Sequence, residues 1–253
     1  MTRWTVLGSA HSVAAPRAAN THFLLVTPRR VVLVDCPGPM FPRLLAMGVD
    51  PKGVTDLVLT HFHPDHVSGL VLFLQNLWLA GREETLHIYG LADTLERAQR
   101  LLSLFQWERW MRTYEVVFHP VEGGRLEPLW QAPDVHLYGV QVCHSIPTLG
   151  LRFVFPESGR VLAYSADTAP CEPVEELARG ADWLFHEATG AFAHHTSAAQ
   201  AGELARRAGV RHLFLVHTPP DLDARRRLEA EARRTFQGPV AAAWDGLTLV
   251  WEP

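Results

Sequence analysis

The chain has 253 residues, 47% of them hydrophobic and 20% charged, with a mean hydropathy of zero and a formal net charge of −4. That balance belongs to a globular protein with a sizeable core, and it gives no support for a broad basic surface that would grip nucleic acid. The longest apolar run, VSGLVLFLQNLWLAG, is short for a membrane span and carries Gln75 and Asn76. The opening RWTVLG lacks the basic-then-apolar pattern of a signal peptide. The three cysteines (Cys36, Cys143, Cys171) form no CxxC pair, and they read as small core residues in a reducing cytoplasm. Lys52 is the only lysine and Asn20 and Asn76 the only asparagines, a bias that selection for heat or a GC-rich genome would each produce.

In chain order, the β-rich runs RWTVLG, THFLLVT and RVVLVDC come first, the latter two joined at a TPRR turn, and VTDLVLT follows. A helical stretch over 66–80 precedes LHIYG, and another over 92–107 precedes YEVVFHPV, VHLYGVQVC, LGLRFVF, RVLAYSAD and ADWLFHE. Helices over 197–208 and 222–236 bracket RHLFLVH, and LTLVWEP closes the chain. The 197–208 helix carries its own signals, with Ser197 as cap and Gly209 as stop. So many strands with so few helices predict an α/β (α+β) chain in which two sheets pack face to face with helices outside, an αββα sandwich. The whole of 1–253 reads as one domain of two fused halves.

Several of the apolar runs close on a polar residue: His61 after VTDLVLT, His144 after VHLYGVQVC, Asp167 after RVLAYSA, Glu187 within ADWLFHE and His217 after RHLFLV. Strand-end loops are where a rigid scaffold presents binding and catalytic groups. The segment HFHPDH sharpens this. His61 and His63 are two apart, so extended backbone puts them on one side, and Pro64 turns the chain so that Asp65 and His66 aim at a neighbouring position. Four such ligands on one tight loop suit two adjacent ions better than one, and His144, Asp167 and His217 can complete the two sets. A carboxylate such as Asp167 can bridge.

HFHPDH with His144, Asp167 and His217 resembles the metallo-β-lactamase superfamily over essentially the whole chain. VLAYSADTAP, LFHEATG, HTSAAQAGELARRAGV and LFLVHTPP resemble, in order, the aspartate, HEAT, HST and terminal-histidine segments of its ribonuclease Z branch. The resemblance implies that His61, His63 and His144 bind one metal, Asp65, His66 and His217 a second, and that Asp167 bridges. It implies two divalent ions, with zinc first for a nitrogen and oxygen donor set and manganese or iron as alternatives. They would activate water for an in-line displacement. Asp65 would also orient that water, and His195, held by Glu187, would protonate the leaving oxygen or stabilise the developing charge. Asp35 resembles the superfamily's structural aspartate, supporting the metal loop without touching metal.

Other residues carry quieter expectations. Cys143, before His144 in a strand, should face the core; His194 should be exposed; His186 is a supporting partner or a core-edge residue. His11, His22, His87, His119, His136 and His212 read as surface or strand residues without partners. LLSLFQWERWMRTYE reads as core packing or, where exposed, as a dimer surface or lid. The expected function is a dinuclear phosphodiesterase of ribonuclease Z-like type, a homodimer acting on a small or unstructured phosphodiester, possibly RNA. The alternatives are a thioesterase, lactonase or lactamase on the same site, or a non-enzymatic metal sensor. The ribonuclease Z branch grips tRNA with a basic arm between the segments holding His144 and Asp167. Here that interval offers only two strands and the turn PESGR, and the loop HSVAAPRAAN and the turn DCPGP also depart from the branch.

Overall fold

A computed structural model describes residues 1–110 and 112–252. Met111, inside the aromatic segment, and Pro253, at the end of the last expected strand, lie outside them. Fourteen strands form among the described residues: β1 (Thr2–Gly8), β2 (His22–Val26), β3 (Val31–Val34), β4 (Asp56–Val58), β5 (Leu86–Leu91), β6 (Val116–Val121), β7 (Glu127–Gln131), β8 (His136–Val142), β9 (Thr148–Phe155), β10 (Arg160–Tyr164), β11 (Trp183–Glu187), β12 (His212–Val216), β13 (Val240–Ala242) and β14 (Thr248–Trp251). They make two seven-stranded sheets, ordered β14-β1-β2-β3-β4-β5-β6 and β13-β12-β11-β10-β9-β8-β7. The C-terminal strand thus returns to the first sheet and locks the two halves together.

Parallel pairs need crossovers, and each one here carries a helix. In the first sheet these are α1 (Met40–Ala46) between β3 and β4, α2 (Pro64–Val67) and α3 (Leu70–Leu79) between β4 and β5, and α4 (Ala92–Leu104) with α5 (Trp107–Trp110) between β5 and β6. In the second sheet α6 (Glu172–Ala178), α7 (Ala198–Arg207) and α8 (Leu222–Ala232) link the parallel strands β10 to β13. Antiparallel neighbours instead take short turns, except β1 and β2, which are joined by the loop 9–21. The β9–β10 turn occupies 156–159 and closes with the Gly159 amide donating to the Phe155 carbonyl at 2.9 Å, Gly159 adopting φ +66°.

Alternation along the strands builds the layers. Phe23 and Leu25 of β2 enter the central core, where they meet Leu151, Phe153 and Phe185 of the second sheet, while Leu24 faces outward. Trp4 sits fully buried at the centre, its ring 4.9 Å from that of Phe23 and 5.2 Å from that of Phe153. The outer layers pack separately. Leu70, Phe73, Leu74 and Leu77 of α3 and Leu95, Ala98 and Leu102 of α4 cover the first sheet. Val174 and Leu177 of α6 and Ala201 and Leu204 of α7 cover the second. The αββα sandwich expected from the strand count is therefore the fold.

Three helix boundaries differ from the periodic reading. The 66–80 stretch divides at Ser68–Gly69 into α2 and α3, because the loop after β3 presses against Gly69: a Cβ there would lie 2.1 Å from the Gly38 carbonyl oxygen. The Gly69 amide donates to the Cys36 carbonyl at 2.8 Å, and the Cys36 amide to the His66 carbonyl at 2.7 Å, so DCPG and HFHPDH are clasped together. The 92–107 stretch ends at Leu104, with Gln106 at φ +53° before α5, and the last helix stops at Ala232 rather than 236. Strands β7 and β13 fall outside the runs read from the sequence. Gly69→Ala should destabilise by about 1–3 kcal/mol through overpacking and should also lower bound metal, since the strained loop carries His66. A melting curve and elemental analysis of the variant check both.

Candidate metal centre

The site lies where strands of both sheets end. β4 runs through Leu59 and Thr60 into His61, β8 gives way to Cys143 and His144, β10 leads to Asp167, β11 ends at Glu187 and β12 leads to His217. The carboxyl ends of parallel strands are the usual place for a site in such sheets.

In the first sheet, Asp35 is fully buried at φ +63° and accepts three kinds of donor. The Thr60 amide reaches Oδ1 at 2.8 Å, the Thr60 hydroxyl reaches Oδ2 at 2.9 Å, and His66 Nδ1 lies 2.8 Å from Oδ2. With its proton committed to Asp35, the Thr60 hydroxyl can only accept from His61 Nδ1, 3.0 Å away. His61 and His66 are thereby both fixed with Nδ1–H turned outward and Nε2 turned inward.

The second sheet repeats the device with other acceptors. His144 Nδ1 is 2.9 Å from the carbonyl of His194, and His217 Nδ1 is 2.7 Å from the Thr189 hydroxyl, whose own proton goes to the His217 carbonyl. Both again offer Nε2 to the interior. His63 alone offers Nδ1, which sits 3.1 Å from His61 Nε2 and 3.3 Å from His144 Nε2.

These short nitrogen–nitrogen and nitrogen–oxygen approaches form two separate groups, His61, His63, His144 and Asp167 in one and Asp65, His66 and His217 in the other, and a third that overlaps them, Asp167, His195 and His217, with donor atoms within 4.8 Å of one another in each. Ligand bonds of about 2.0–2.1 Å at a tetrahedral ion put neighbouring donors roughly 3.3 Å apart. His217 Nε2 stands 3.3 Å from Asp65 Oδ2 and 3.3 Å from Asp167 Oδ2; His66 Nε2 is 3.7 Å from Asp167 Oδ1, and His61 Nε2 is 3.9 Å from Asp167 Oδ2. His66 Nε2 and Asp167 Oδ1 are buried without any hydrogen-bond partner, a costly state that a cation would relieve. The donor set and its spacing fit two divalent ions.

The electrostatics agree. Burial alone would favour neutral His66, yet Asp35, Asp167 and Asp65 hold its pKa up to about 9, so the field at this spot favours positive charge. His61 is pushed well below its ordinary value by burial and then by His66 and the other histidines, which keeps its imidazole neutral and ready to ligate. Burial works to raise Asp65 and Asp167, and the histidines more than reverse it.

Beside the ligand groups, buried Glu187 gathers the second sheet's loops. Its Oε1 accepts from the Thr168 amide at 2.9 Å and lies 2.8 Å from His195 Nδ1, while Oε2 accepts from the Thr189 amide at 3.0 Å. That hydrogen bond, ahead of the opposing effect of burial, raises the pKa of His195. The His195 ring packs 5.0 Å from that of His144 and stacks 6.0 Å from that of His217. The side chain precedes α7, whose start is held by a capping box between Ser197 and Gln200.

All nine residues singled out for the site by sequence converge here. Others were misjudged. Cys143 is exposed, because β8 ends at Val142 and strand alternation no longer governs its direction. Only Cys36 is a buried core thiol. His22 is buried with Nδ1 2.7 Å from the Asn20 carbonyl, and His87 and His119 contact each other at 2.9 Å across neighbouring parallel strands. His194 is exposed as expected, yet its backbone carbonyl orients His144. His186 is buried, with Nδ1 2.7 Å from the Glu187 carbonyl. Thr60, at the end of VTDLVLT, and Thr189, within LFHEATG, brace His61 and His217, roles that the sequence reading does not assign. In the aromatic segment Trp107 packs partly into the outer core, Leu104 is exposed, and Phe105 is exposed at a groove also lined by Phe62, Leu72 and Trp110.

A family description, the β-lactamase superfamily domain, matches residues 30–218. The chain belongs to the β-lactamase superfamily, and its two-sheet sandwich is the metallo-β-lactamase fold. It is 28% identical to a ribonuclease Z of Methanothermobacter thermautotrophicus over 297 positions, covering 97% of this chain and 95% of the relative. It is 30% identical to a ribonuclease Z of Mycobacterium avium, covering 93% of each. The metallo-β-lactamase fold protein YhfI of Bacillus subtilis superposes with a TM-score of 0.82 at 24% identity, over 98% of both chains. The chain is a metal-dependent hydrolase of this superfamily. Asp35→Asn should fold but bind metal about 10–100-fold more weakly, since supporting partners of ligand histidines carry effects of that size. Metal titration against a chelator of known affinity checks this, and unchanged affinity would remove Asp35 from the support of the site.

Proposed function

We propose that this protein is a dinuclear phosphodiesterase of ribonuclease Z-like type whose substrate is a small or unstructured phosphodiester, with RNA in single-stranded form included. The observation that carries the reading is Asp167, a buried carboxylate lying between the two histidine groups with the Glu187–His195 pair alongside. In this reading His61, His63 and His144 hold one ion, Asp65, His66 and His217 the other, and Asp167 serves both. When bound, the two ions supply Lewis-acid activation of water and of the phosphoryl oxygens. Zinc suits the nitrogen and oxygen donors best, and manganese or iron would also be accepted.

The chain's own residues do the rest. Asp65, less buried than Asp167, orients the attacking water. His195 delivers a proton to the leaving oxygen, and Glu187 holds its Nδ1–H and stabilises the imidazolium. The substrate preference follows from what would hold RNA. Phosphate contacts from basic residues supply most nucleic-acid affinity, the chain is net acidic, and β9 and β10 are joined by a four-residue turn instead of an arm. The alignment with the Methanothermobacter relative runs over 297 positions against 253 residues here, so that relative carries segments this chain lacks. A cytoplasmic homodimer, paired across the groove at Leu72 and Phe105, completes the reading. No helix among the described residues is long and apolar enough to cross a membrane.

Two experiments test it. With matched metal and moderate salt, bis-nitrophenyl phosphate and short or cyclic phosphodiesters should turn over readily, with thioesters, lactones and lactams as comparison substrates. Efficient, site-specific trailer removal from a tRNA precursor at submicromolar enzyme would overturn the substrate preference.

His195→Ala should keep its metal and lose roughly a hundredfold in turnover on esters with poor leaving groups, while nitrophenyl esters suffer less. Because Glu187 raises the pKa of His195, the protonated form persists further up the pH scale. Glu187→Gln should therefore move the alkaline limb of the turnover profile to lower pH. Metal loss in His195→Ala would make that residue a ligand instead.

A further inference from the structure

His11 stands outside every motif of the site, in the loop between β1 and β2, yet the fold carries it to the rim. The His11 amide donates to the Thr218 carbonyl at 3.1 Å, one residue after His217, and the Asn20 side chain donates to the His11 carbonyl at 2.8 Å. The neighbouring Ala10 amide donates to the Ala19 carbonyl at 2.8 Å. The backbone position is therefore set by both sides of the loop, independently of the His11 side chain. The ring lies edge-on to that of His217, with centroids 6.4 Å apart, and remains partly open to solvent.

The tautomer follows from one contact. The Val13 amide donates to His11 Nδ1 at 2.9 Å. A backbone N–H can only donate, so Nδ1 is the acceptor and the neutral ring carries its proton on Nε2. The ligand-facing histidines His61, His66, His144 and His217 show the opposite arrangement, with Nδ1–H tied off and Nε2 left as a lone pair. His11 is thus built as a donor at the edge of a site whose other histidines are built as acceptors. A donor at that edge suits an anionic group seated on the Asp65–His66–His217 side.

We infer that His11 is a substrate-binding residue, its Nε2–H donating to a non-bridging oxygen of the phosphoryl group; this rests on the phosphodiesterase reading for the identity of the group bound. The interaction is made with substrate and transition state alike, so it acts on KM more than on turnover.

The test uses full-length, metal-loaded protein with His11→Ala, His11→Phe and His11→Gln, the last retaining an N–H donor. With bis-nitrophenyl phosphate, Ala and Phe should raise KM about tenfold, the loss of one hydrogen bond to a charged group, with turnover changed less than about threefold. Metal content should stay at the wild-type value, and Gln should recover most of the KM. Inorganic phosphate, titrated calorimetrically into the metal-loaded proteins, should bind about tenfold more weakly to the Ala variant. If the wild type cleaves no phosphodiester, the functional reading fails, while the phosphate titration still decides the role of His11. Equal phosphate affinity in wild type and Ala overturns the assignment, as does a Gln variant as impaired as Phe.

Discussion

A buried carboxylate with no counter-charge is among the most expensive features a fold can contain, and Asp35 sits at zero exposure under the metal loop. It is tolerable only because the Thr60 amide, the Thr60 hydroxyl and His66 converge on it. Those donors tie the loop to Asp35. The same bonds dictate which nitrogen of His61 and of His66 faces inward, so a stability requirement and a ligand geometry are met by one set of contacts. The clasp between Cys36 and His66 and the close approach of Gly69 to Gly38 then hold the two loops at that spacing.

The interior that results is unbalanced without a cation. Several imidazoles and two carboxylates point at shared space, with His66 Nε2 and Asp167 Oδ1 lacking any partner. Protein–protein hydrogen bonds cannot settle the arrangement, since most of the short contacts bring together atoms that would all act as acceptors. Positive charge in the middle turns each of those repulsive or unsatisfied contacts into an attraction, and the folding of this region is thereby linked to metal affinity.

Much of this was legible in the sequence for definite reasons. HFHPDH is local, so spacing and Pro64 decide its directions without tertiary information. The strand-end positions of His144, Asp167 and His217 were legible because each followed a strongly apolar run, and the paired sheets because the strands outnumbered the helices. What escaped reading depended on contacts between distant segments. The break at Gly69 is forced by Gly38, the His87–His119 contact by register between β5 and β6, and the closeness of His11 to His217 by the bridge from Ala10 to Thr218. Cys143 was misplaced by extending strand alternation one residue too far. Thr60 and Thr189 were passed over because a hydroxyl's role is set by its partners, and those lie elsewhere in the chain.

The second sheet has its own counterpart to Asp35. Glu187 is equally buried, and it too is satisfied by several donors: the amides of Thr168 and Thr189, and His195. Thr168 follows Asp167, and the Thr189 hydroxyl holds His217, so this one carboxylate sets the loops of two of the metal-facing residues and the adjacent proton-bearing histidine. Each sheet therefore presents its share of the site on a loop organised by a single buried acid. Between the two acids lies Asp167, the residue that faces the histidines of both sheets. The donor sets around Asp35 and Glu187 each lie within one sheet, so a displacement of either sheet relative to the other would leave both intact and still alter the spacing at Asp167. The packed core around Trp4, Phe23 and Phe153 opposes that displacement directly. Sandwich packing and site geometry are in this sense one constraint: the central layer fixes the distance between sheets, and the two buried acids carry that distance out to the ligands.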